Sequence, residues 1–64
     1  MFKVGEIYEI TLYDPDPEGR DVVTHYPDWE VVQVDMPLVR MRRSGEEKVF
    51  NTASRVFVSA TLQP

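Results

Sequence analysis

The sequence predicts an all-β domain: a small, five-stranded, partly open antiparallel barrel with a long acidic loop after the first strand. Three observations predict it. Apolar and polar residues alternate with a period of two in several segments. Gly and Pro clusters cut the chain into pieces of strand length. No stretch has the pattern of a helix of ten residues.

The first strand is expected within Phe2–Tyr13. Phe2, Val4, Tyr8, Ile10 and Leu12 share one parity, and Lys3, Glu9 and Thr11 take the other. Glu6 and Ile7 break the alternation beside Gly5, which predicts a bend or bulge there. The stretch Asp14-Pro15-Asp16-Pro17-Glu18-Gly19-Arg20-Asp21 is predicted to be a loop reaching Asp28, with Val22 and Val23 forming at most a brief strand inside it. Trp29–Asp35, rich in valine, is the second strand. Met36-Pro37 is a turn or strand edge, because proline lacks an amide donor.

Leu38–Arg43 is the third strand, with Val39 and Met41 on one face and Arg40 and Arg42 on the other. Ser44-Gly45 reads as a two-residue hairpin turn. That turn sets Arg43 opposite Glu46, Arg42 opposite Glu47, and Val39 beside Phe50. Lys48–Thr52 is the fourth strand. Asn51–Arg55 is a turn or a single helical turn, and Val56–Leu62 is the fifth strand. An open sheet this small exposes edges that invite aggregation, and curling into a partly open barrel reduces that exposure.

Sixty-four residues allow one domain, 1–64, with a thin core. The chain has no cysteine, which excludes disulfides and thiolate zinc sites and fits a reducing compartment. No stretch approaches the roughly 20 apolar residues of a membrane span. The N-terminus lacks the apolar core of a secretory signal, so a cytoplasmic location is expected and no membrane partner. The net charge of -4 disfavours a phosphate backbone as partner. Residues 1–35 carry -7 and residues 36–64 carry +3, which predicts an acidic and a basic side if the fold separates them.

The order of elements resembles the Src-homology-3-type small barrel. Phe2-Lys3-Val4-Gly5-Glu6-Ile7-Tyr8 is similar to the hydrophobic-x-Val-Gly-acid opening of bacterial members. Leu12-Tyr13-Asp14 before an acidic loop resembles the first strand of the peptide-binding members, and Trp29 resembles their groove tryptophan. Phe57-Val58 resembles the aromatic-valine ending of that barrel. The resemblance implies the barrel. Proline-motif binding does not carry over, since Pro15 stands where those members have a second tyrosine and Glu30 where they have a second tryptophan. They also have a proline before the last strand that has no match between Asn51 and Val56.

Three sets of residues are candidates for chemistry. Tyr13, Tyr26, Trp29 and Phe57, with Asp14, Asp16 and Glu18 nearby, could form a groove for a basic peptide or protein; the alternative is that the large rings plug a thin core. Arg40, Arg42, Arg43, Lys48 and Arg55 could contact RNA; the alternative is a hairpin surface neutralised by its own acids. Asp14, Asp16, Glu18 and Gly19 match the first half of a calcium loop, but His25 stands where the bidentate glutamate belongs, so no metal or cofactor is expected. Ser44, Ser54 and Ser59 lack a nucleophile-elbow context, and His25 is the lone histidine. The expectation is a binding or adaptor domain and not an enzyme. The alternatives are a nucleic-acid or ribosome-associated module and a structural subunit that self-associates, with the oligomeric state left open.

Overall fold

The computed structural model describes residues 2–64. Its strands are β1 (Ile7–Pro15), β2 (Asp21–Asp35), β3 (Leu38–Arg43), β4 (Glu46–Asn51) and β5 (Phe57–Leu62). They form one antiparallel sheet in the order β4-β3-β2-β1-β5. The sheet is not closed, so β4 and β5 are its edges. No helix occurs among the described residues. The arrangement fits a small, partly open β-barrel.

The curl comes from β2. Fifteen extended residues would span about 50 Å if straight, yet the longest dimension of the molecule is 37 Å. The strand therefore bends. Register shifts mark the places: between Tyr8 and Ile10 opposite Trp29 and Tyr26, and between Val31 and Gln33. Asp28, within the first irregularity, has a φ of 67°. The side chain of Gln63 holds it there. Its Oε1 accepts from the Asp28 amide at 2.8 Å, and its Nε2 donates to Asp28 Oδ1 at 3.0 Å. These bends let one half of β2 pair with β1 and the other with β3.

The acidic excursion after β1 is present, but the expectation of an unpaired loop to Asp28 is corrected. Thr11–Pro15 pairs residue for residue with Asp21–His25, making a two-stranded ribbon with a tip at 16–20. Pro15 and Pro17 hide this pairing in the local sequence. Here Pro15 ends its strand, where a missing amide does little harm. The start of β1 also differs. Val4-Gly5 is a turn with Gly5 at a φ of 91°, so Val4 is exposed rather than inward.

The β3–β4 hairpin forms in the expected register, with Arg43 opposite Glu46, Arg42 opposite Glu47 and Val39 opposite Phe50. Ser44 and Gly45 both have positive φ, 51° and 82°, as a two-residue turn matched to strand twist requires. Gly45→Val is expected to lower stability by about 1–2 kcal/mol, since a β-branched residue resists that backbone region. Gly45→Asn should cost less. Urea unfolding midpoints of the two variants check this, and equal midpoints would contradict it.

The core is Tyr8, Ile10, Trp29, Val31, Val39, Met41 and Phe50. Phe2, Leu12, Tyr26, Val34, Phe57 and Ala60 pack against it. All five strands contribute to these two groups, so the curled sheet buries one face against itself.

Candidate functional site

The aromatic set divides. Trp29 is only 2 % exposed and meets Phe50 edge-on, with ring centroids 5.5 Å apart. It is a core residue, so a groove built on its face is not what the fold presents. Its Nε1 finds no acceptor among the described residues. Phe57 is half-buried against the same core. Tyr26 is half-buried and its hydroxyl donates to Asp14. Tyr13 is exposed, on the opposite face of the ribbon from Asp14, beside Val23. The four rings thus do not line one groove.

The candidate acids are occupied within the ribbon. Asp14 accepts from Tyr26. Asp16 Oδ1 accepts the amides of Glu18 at 3.0 Å and Arg20 at 2.8 Å, which folds the tip around one carboxylate. The Arg20 guanidinium reaches Asp16 Oδ2 at 3.3 Å and Glu18 Oε2 at 2.9 Å. Asp16 and Glu18 therefore share Arg20 while Asp14 turns to Tyr26, so the three acids do not converge on a common centre.

Asp14 raises the pKa of Tyr26 above the usual 10.0, chiefly through the hydrogen bond it accepts, with burial adding to the effect. Burial, and then the hydrogen bond and charge of Glu6, raise Tyr8. For Tyr26 the linkage sign follows directly. The native state keeps a phenolic proton that the unfolded chain releases near pH 10. The stabilisation is complete below that pH and is lost as pH rises through the folded value. Unfolding midpoints should fall above pH 10.0, and fall less in Tyr26→Phe. Parallel declines in the two proteins would contradict the assignment.

The five cations do not share a face. Arg40 and Arg42 stand on the outer face of the sheet and meet acids there: Arg40 Nε lies 4.0 Å from Glu47, and Arg42 Nη2 3.8 Å from Glu30. Lys48 alternates to the inner face, with its Nζ 5.9 Å from the Trp29 ring centre and 6.0 Å from that of Tyr26. Arg43 ends β3, and Arg55 lies in the turn before β5. The charge halves of the chain are therefore interleaved where β2 and β3 meet.

Two features escaped the sequence reading. The first is a shallow depression of about 230 Å³ on the outer face of β2–β3–β4, lined by Gln33, Asp35, Leu38, Arg40 and Val49. Val49 is 59 % exposed beside it. Alternation places Val49 outward, but only the register brings Arg40, Leu38 and Gln33 around it. The second is a polar group on the outer face of β1–β2. The Nδ1 of His25 lies 3.0 Å from Thr11 Oγ1 and 3.7 Å from Glu9 Oε1. Both contacts use one ring nitrogen, whereas a catalytic relay takes a proton on one nitrogen and is oriented through the other. The group is a surface hydrogen-bond cluster in its geometry.

The backbone of β4 is open on one side. Thr52 donates its amide to Pro37 O at 2.8 Å, which fixes the phase of the β3–β4 ladder. By alternation, the backbone groups of Glu47, Val49 and Asn51 face away from β3. The depression and this free edge adjoin at Val49. No described helix is long and apolar enough to cross a membrane.

No family model matches the chain, and no curated protein or solved structure matches it either.

Proposed function

We propose that this domain binds an extended segment of another protein along the free edge and outer face of β4. One observation carries the reading: an apolar depression, flanked by Arg40 and Asp35, adjoins an unpaired strand edge at Val49. An added strand would gain main-chain hydrogen bonds from Glu47, Val49 and the amide of Asn51, whose carbonyl accepts from Ser54 at 3.0 Å. Every second side chain of that strand would face the depression. Arg40, whose side chain stays 45 % exposed beside Glu47, and Asp35 offer one charge of each sign, so the fitting segment carries both signs around an apolar residue.

The strand order, the acidic excursion after β1 and the turn before β5 also support the resemblance to the Src-homology-3-type barrel. Binding rather than catalysis is the role in this reading, and a cytoplasmic location suits a cysteine-free chain. Nucleic-acid binding through Arg40, Arg42 and Arg43 has weaker support, because Glu47 and Glu30 lie against two of the three.

The test is an amide-shift titration of the labelled protein with extended peptides that carry both charges around a central apolar residue. Shifts should gather at Leu38, Arg40, Val49 and Asn51. Shifts gathered instead at Tyr13 and the ribbon tip, or none at millimolar peptide, would remove the reading.

A further inference from the structure

The two sheet edges differ in a way that bears on self-association. The six residues of β4 include Glu46, Glu47 and Lys48, which discourage a second copy of this acidic chain from pairing there while leaving the edge open to a segment of complementary charge. The six residues of β5, Phe-Val-Ser-Ala-Thr-Leu, include no charge, no proline and no glycine. Val58 and Leu62 are 43 % and 53 % exposed. Gln63 donates its amide to Ile7 O at 2.9 Å, which fixes the phase of the β1–β5 ladder. Thr61 and Ser59 then bond to β1, and the backbone groups of Ala60 and Leu62 face outward. This edge is a β-prone, uncharged strand with free donors and acceptors at Ala60 and Leu62, and its register against β1 shifts at Val58.

We infer that β5 is a self-association edge and that its occupant is the β5 strand of a second copy of this chain, antiparallel about a two-fold axis at Ala60. A chain of net charge -4 repels its copy wherever acids face acids. At β5 no charge meets another. Pairing about Ala60 sets Ala60 against Ala60 and Leu62 against Val58 in both directions, so the same residues satisfy both partners. The edge has nothing to attract a charged ligand, which distinguishes it from the Arg40–Asp35 surface on β4. The result is a continuous ten-stranded sheet. A contact of one strand per copy is small beside the usual 1,200–2,000 Å² of a stable complex, so the dimer is a weak one.

Sedimentation velocity on the whole chain, from micromolar to millimolar, tests this alongside two double variants. The wild-type coefficient should rise with concentration toward a dimer. Val58→Lys with Leu62→Lys places lysines of like charge opposite one another and should weaken association about tenfold or more. Val58→Glu with Leu62→Lys places opposite charges together only in the Ala60-centred antiparallel register, and should restore it. Both positions are exposed, and a dispersed amide spectrum will verify that each variant is folded. A wild-type monomer at millimolar concentration overturns the inference. So does undiminished association of the double-lysine variant, or a failure of the Glu/Lys variant to recover. Amide shifts from peptide binding at β4 are read on other residues, so the two proposals succeed or fail separately.

Discussion

Trp29→Ala is expected to remove a large share of the domain's stability. Removing a buried tryptophan typically costs about 3–5 kcal/mol. A chain of 64 residues has roughly 3–10 kcal/mol in total, on the usual scale per residue. Trp29 holds the middle of the sheet: it sits on β2 opposite Tyr8, under Lys48 and against Phe50. Its loss would leave those neighbours without a common contact. Trp29→Phe should be far milder, since it keeps most of the apolar area and removes an indole donor that finds no acceptor. Circular dichroism during urea unfolding, with amide dispersion as a second readout, checks both. An alanine variant that unfolds within about 1 kcal/mol of wild type would show that the ring contributes little to the core.

The second large effect lies on β3, where alternation makes a paired comparison possible. Met41 is fully buried and Arg40, its neighbour in sequence, points outward. Met41→Ala should cost about 2–5 kcal/mol through lost burial and a residual cavity. Arg40→Ala should change stability by less than about 1 kcal/mol, since its ion pair with Glu47 is largely solvated. Denaturant midpoints of the two variants decide the matter. Equal costs at both positions would mean that the two faces of β3 are not distinguished.

Much of this architecture was legible because local chemistry dictated it. Ser44-Gly45 fixed the β3–β4 register, since positive φ at both positions leaves few alternatives. Val39 and Met41 read as inward from period two alone. The ribbon was misread because Pro15 and Pro17 signal a break in the local sequence, while the pairing of Tyr13 with Val23 is a property of two segments. Trp29 stood between groove and core, because an aromatic at a strand start suits either; only packing against Phe50 and Val31 separates them. The depression around Val49 needs three strands to exist, so no single segment announces it. Val4 followed the alternation but fell before the Gly5 turn, where alternation no longer applies.

The pairing of β1 with β5 also governs the order in which the molecule can assemble. The β3–β4 hairpin joins residues separated by a two-residue turn and can zip early. Tyr8 meets Leu62 only after almost the whole chain has been gathered in. Loop-closure entropy falls on that last step before its hydrogen bonds repay it. The β1–β5 seam closes a far longer loop than the β3–β4 hairpin, so it carries the larger entropic cost of the two pairings.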